Sequence, residues 1–168
     1  LAVIPGLVKP GLAGYLSTHD NVSVSQHGWM HVNHAPAGSK KAEFQGGRPE
    51  EVILTDIRKG FARLKDQFSE RFLPVFVPPW NRISATLAPR LPEAGIRLLS
   101  VYGPRAPGSA RVNTHVDIID WRGSRRFADT GPVLGLAVNH LQRRRMGEMD
   151  RGEPTGILTH HMVHDPAS

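Results

Sequence analysis

Apolar and polar positions along this chain switch period from block to block. From Pro49 to Phe68 the apolar residues Val52, Ile53, Ile57, Phe61, Leu64 and Phe68 keep a 3.6-residue spacing. With Pro49 at the entry and Glu50–Glu51 in the first turn, that spacing predicts a helix. Thr130 to Met146 predicts a second long helix, with Val133, Leu136, Ala137, His140 and Leu141 on one side. Weaker helices are expected at Pro10–Thr18 and over residues 83–94, the latter closed by Gly95 and distorted by Pro89 and Pro92. Short apolar runs between them read as strands. These are the opening LAVIP, Val22–Gln26, Phe72–Val77 stopped by Pro78–Pro79, Arg97–Tyr102, Thr114–Trp121 and Gly156–His160. Residues 33–49 are loop by composition, and long enough to suggest function.

Strands alternating with helices predict an α/β domain with a parallel sheet, spanning residues 1–168 as one unit. In such folds ligand sites gather at the C-terminal ends of strands. Four of the expected strands lead into segments with chemical potential. Val22–Gln26 runs into His27-Gly28-Trp29-Met30-His31, and Phe72–Val77 runs into Pro78-Pro79-Trp80-Asn81. The Thr114 strand carries Asp117-Ile118-Ile119-Asp120-Trp121, and the last strand delivers His160-His161. All three tryptophans, Trp29, Trp80 and Trp121, fall in these stretches.

Composition narrows the chemistry. The chain has no cysteine, so any metal must be held by His, Asp or Glu, and a reducing, cytoplasmic setting is expected. No apolar run reaches the roughly 18 residues of a membrane span. The start lacks the basic region of a signal peptide. A net charge of +6 raises the question of nucleic acid, and Arg143-Arg144-Arg145 is the clearest basic run. At a helix C-terminus that run is favoured by the dipole and reads as a solvated face, so no nucleic-acid partner is expected.

Seven of the nine histidines fall in two clusters: His19, His27, His31 and His34 near the start, and His160, His161 and His164 at the end. Two histidines four apart can chelate one divalent cation when they project the same way, and neutral imidazole suits zinc and its first-row neighbours. His27 and His31 are the candidate ligands. His34 is either a third ligand or lines the loop, and His19 reads as a surface residue. Asp117 and Asp120, three apart on a strand, turn to opposite faces, so one can face a site while the other caps the following turn. An aspartate facing a histidine fixes its tautomer and raises its basicity, as acid–base work requires. His160, after the apolar Ile157–Leu158, is expected to emerge at the strand tip, and His164–Asp165 is a candidate second pair. Trp80, on the rigid turn after two prolines, can floor a sugar site or simply pack. The two histidine clusters are expected to converge around a cation.

Taken in order, these stretches resemble the polysaccharide deacetylases, the family four carbohydrate esterases. HGWMH is similar to their two-histidine metal motif, VPPWN to their Arg-Pro-Pro-Tyr turn, DIIDW to their D-x-x-(D/S)-W motif, and GILTHH to their closing I-x-L-x-H-D. The resemblance implies a distorted (β/α) barrel and removal of acetyl groups from amino sugars or related amides. It implies a divalent metal, expected to be zinc, on His27 and His31. It further implies an oxyanion donor in the backbone N–H of Trp80, and His160 as the acid, tuned by Asp117 with Trp121 packed against it. Trp29, Trp80 and Trp121 are the expected contacts for a carbohydrate. There are departures. The family's Asp-Asp motif is absent, so the first β/α unit is expected to be missing from the barrel. Val77 stands in place of an arginine, and His161 in place of an aspartate. The alternative is a catalytically inactive relative that binds carbohydrate. An exposed barrel seam would favour self-association.

Overall fold

A computed structural model describes residues 1–163. The chain divides into two compact units, Leu1–Ser100 and Val101–Ser168. The expected His164–Asp165 pair lies outside the described residues.

The first unit is built on a parallel sheet of four strands in the order β1-β2-β3-β4: β1 (Ala2–Val3), β2 (Val24–His27), β3 (Phe72–Val77) and β4 (Leu98–Leu99). A short helix, α1 (Gly11–Leu16), connects β1 to β2, and α2 (Glu50–Phe68) lies between β2 and β3. This is the parallel α/β arrangement that the periodicity predicts. Helix α2 buries Ile53, Leu54, Ile57, Leu64 and Phe68. The fully buried Phe44 and Phe76 meet edge-on, with ring centroids 5.0 Å apart. Each such side chain contributes roughly 1.5–3 kcal/mol by leaving water. The acidic first turn of α2 is tied down by Arg90, whose guanidinium reaches Glu50 at 3.2 Å and Glu93 at 2.9 Å.

Residues 83–94 do not form an α-helix. They give a 3-10 helix over Ala88–Ala94, ended by Gly95 in the left-handed region. Pro89 and Pro92 lack the N–H groups that α-helical bonding needs, and the tighter 3-10 turn does with fewer.

In the second unit β5 (Val116–Asp117) pairs in parallel with β6 (Ile157–Leu158), and α3 (Thr130–Met146) connects them. Gly147 ends α3 in a left-handed cap, its N–H directed at the Arg143 and Arg144 carbonyls. The apolar side expected on α3 is not buried: Leu136 and Leu141 are exposed, and His140 is the buried residue of the helix. No helix among the described residues is long and apolar enough to cross a membrane.

Candidate functional site

In the first unit, the β2–β3 pairing slips between Val24 and Gln26 and then sets His27 opposite Val77. That register brings the His27 Nδ1 within 2.9 Å of the Val77 carbonyl oxygen. A carbonyl only accepts, so Nδ1 carries the proton and Nε2 keeps its lone pair. This is how a metal-ligating histidine is oriented by a backbone partner.

The chain then leaves β2 through Gly28 at φ +64° and places His31 at φ +57°. The His27 and His31 rings come together with centroids 5.1 Å apart and planes tilted 53°. The ring of His31 also lies 4.4 Å from that of Trp80. Trp80 and Asn81, just past β3, have φ of +56° and +57°. Three non-glycine residues of this part of the first unit, His31 itself among them, thus lie in the left-handed region. Such backbone strain persists where the surroundings impose it, and it clusters at functional sites. The arrangement thus sets two imidazoles, a ligand type that suits zinc-class cations, side by side.

Two buried polar residues shape this loop, and neither was expected from the sequence. Gln26 donates through Nε2 to the Gly28 carbonyl at 3.1 Å and to the Ile57 carbonyl at 3.2 Å, joining the strand end to α2. Gly60 of α2 makes room for that amide, since a Cβ there would overlap it. Glu43 accepts backbone N–H groups from the HGWMH segment, including that of Met30 at 2.8 Å. Glu43 carried one weak signal, a charged residue between apolar Ala42 and Phe44, and all three are buried. His34 is half-buried, and its backbone N–H donates to the Ala42 carbonyl at 2.8 Å. His19 is exposed, as expected, and lies against Tyr15. Trp29 is half-buried, its carbonyl accepting the Gly6 N–H at 2.8 Å.

In the second unit the two aspartates divide their roles. Asp120 accepts the N–H groups of Arg122, Gly123 and Ser124 and so caps the turn after β5. Those bonds, the Ser124 N–H foremost, hold its carboxyl below the usual carboxylate range. Asp117 faces His160, with Nε2 3.3 Å from Oδ1 and 3.4 Å from Oδ2. It also accepts the indole N–H of Trp121 at 2.8 Å and the N–H of Ile119 at 3.0 Å. Trp121 meets His160 edge-on with ring centroids 4.8 Å apart. A cleft of about 730 Å³ opens beside this group, lined by Tyr102, Asp117, Trp121, Phe127 and Leu136. His161 is exposed.

The second unit also holds a buried trio that sequence reading missed: His115, His140 and Glu153, whose donor atoms all lie within 4.8 Å of one another. By donor type the trio could bind a metal. The Gly156 N–H donates to His115 Nδ1 at 3.2 Å, so the proton of a neutral His115 sits on Nε2, which faces Glu153 Oε1 at 3.2 Å. The two imidazoles are stacked, centroids 3.7 Å apart and planes within 22°, so their in-plane lone pairs run side by side rather than converging at the roughly 2 Å a zinc ion needs. His140 Nδ1 lies 2.9 Å from the Thr155 hydroxyl.

No family model matches this sequence. No curated protein matches it either. Among solved structures, the chain is similar to the crystal structure of a "putative polysaccharide deacetylase" from Mycobacterium smegmatis, with 14% sequence identity and a TM-score of 0.49. The match covers 89% of this chain and 52% of that one, so the chain spans about half the length of the structure it resembles.

Proposed function

We propose that the chain carries working residues of a metal-dependent hydrolase that removes acetyl groups from an amino sugar or a related amide. One observation carries this reading: the Val77 carbonyl holds the His27 ring through Nδ1 and so sets its orientation, with the ring of His31 beside it, centroids 5.1 Å apart. A cation held by these two residues would supply Lewis acidity toward an amide carbonyl.

The chain's own residues account for the other requirements. The first unit offers the backbone N–H of Trp80, on a strained turn beside His31, as the donor for a developing oxyanion. Such a donor is worth about 3–4 kcal/mol of transition-state stabilisation. The second unit offers His160 as the acid that protonates a leaving amine. With Nε2–H directed at the Asp117 carboxylate, an imidazolium at His160 would carry its second, transferable proton on Nδ1. Trp121 fixes Asp117 through its indole N–H and packs on the imidazole. The four-stranded parallel sheet is read as part of a distorted (β/α) barrel.

The test is acetate release from N-acetylated amino-sugar oligomers, with and without added zinc. We expect zinc-dependent release that disappears in His160→Ala. A second reading, a carbohydrate-binding relative without turnover, is favoured by Trp121, 46% exposed at the cleft beside Tyr102 and Phe127. Glycan binding without acetate release, from this chain and from one extended upstream, would select it.

A further inference from the structure

We propose that Glu43 is the positioning residue of the His27–His31 pair, acting through the backbone of His31; this rests on the metal-site reading above. Glu43 is 1% exposed, in a stretch that otherwise reads as loop. Its Oε1 accepts the Met30 N–H at 2.8 Å and its Oε2 accepts the His31 N–H at 3.1 Å. The Trp29 N–H lies 3.4 Å from both oxygens. Three consecutive peptide N–H groups therefore converge on one carboxylate. Among the described residues no lysine or arginine forms an ion pair with it.

A buried carboxylate is costly unless its charge is met by hydrogen bonds. Here that charge is met by the loop that carries the candidate ligand. Successive N–H groups pointing inward form an anion nest, and a left-handed residue is the usual way to turn the last of them in. His31, at φ +57°, is that residue. Without the carboxylate, nothing in this hydrogen-bond set repays the left-handed conformation, and the His31 ring loses its place beside His27. Gly28 completes the fit, because a Cβ there would overlap the Glu43 carboxylate. The carboxylate also adds a fixed negative charge to the loop, which favours a cation over a neutral ligand.

Glu43→Gln is the discriminating variant. The amide keeps the shape but turns an NH2 group toward one of the peptide N–H donors. Two readouts are needed on the full chain: hydrogen exchange of the Met30 and His31 amides without metal, and zinc affinity together with the visible spectrum of the Co²⁺-loaded protein. In the wild type we expect both amides to be protected. In Glu43→Gln, with far-UV circular dichroism unchanged, we expect them to exchange at least about 10-fold faster. Zinc affinity should fall by roughly 10–100-fold, the usual cost of losing a group that orients a metal ligand. The Co²⁺ bands should shift, which a loss of general stability would not produce.

Rapid exchange of both amides in the wild type, or unchanged exchange in the variant, would overturn the clamp. Unchanged zinc affinity and spectrum in a folded variant would overturn its part in metal binding. A wild type that binds no zinc would overturn the metal reading and Glu43's part in it, while exchange still reports on the clamp. Should the Gln chain fail to fold, Glu43→Asp, which keeps the charge but shortens its reach, is read in the same way.

Discussion

Asp117, the last residue of β5, lies 3.3 Å from the Nε2 of His160, two residues past the end of β6. The parallel pairing of Asp117 with Leu158 brings the two together from segments 43 residues apart. The carboxylate cannot take the transferable proton's place on the ring. It can only fix which nitrogen carries it and stabilise the imidazolium. We expect Asp117→Asn to leave the fold and metal binding intact and to reduce turnover. His160→Ala should also keep its metal, and should lose about 10²–10⁴ in kcat, the usual share of a positioned acid. Unchanged acetate release in His160→Ala would move the acid elsewhere.

Gly28 is the second place where one atom decides the outcome. Its φ of +64° disfavours any side chain, and a Cβ would overlap both the Glu43 carboxylate and the Pro79 ring. We expect Gly28→Ala to destabilise the chain by about 2 kcal/mol or more, from the left-handed backbone and the overlap together. Urea denaturation of the metal-free protein measures this. A midpoint equal to that of the wild type would show that the turn can relax.

The buried imidazole stack gives the second unit a pH dependence of defined sign. Burial, the largest cause, holds His140 below its ordinary pKa of about 6.5; His115, Arg144 and Arg143 push the same way, and Glu153 opposes them. The unfolded chain therefore binds a proton that the folded chain refuses. Stability is complete above about pH 6.5 and declines as the pH falls below it. We expect the urea midpoint to drop as the pH falls below about 6.5, and His140→Phe to flatten that limb. A midpoint that is level across this range in the wild type would contradict the assignment.

Much of the architecture was legible because some elements carry their own stop signals. Phe72–Val77 is stopped by two prolines, and Thr130–Met146 by Gly147, and both have the expected bounds. Helix α2 begins one residue inside its expectation, at Glu50. The strands without such signals shrank. Arg97–Tyr102 became Leu98–Leu99, and Thr114–Trp121 became Val116–Asp117, since continuous pairing runs over only two residues in each and the rest is isolated bridges such as Tyr102–Thr114. The candidate chemistry was legible as residue types at strand ends. Spacing alone could not say which aspartate faces the histidine; three backbone N–H groups after β5 claim Asp120 and leave Asp117 to His160. Gln26 and the His115–His140 stack left no mark on the sequence, and Glu43 only the weak one of a charge between two apolar residues. Their partners are peptide groups or side chains far along the chain, and no local period encodes such contacts.

The central claim is that His27 and His31 hold one divalent cation. Isothermal titration of zinc into the metal-free chain tests it most directly, alongside His27→Ala and His31→Ala variants shown to be folded. We expect one site per chain in the wild type, with affinity reduced on the order of 100-fold or more in either variant, beyond the cost of losing an orienting group alone. A wild type that takes up no zinc, or folded variants that bind it as tightly as the wild type, would contradict the account.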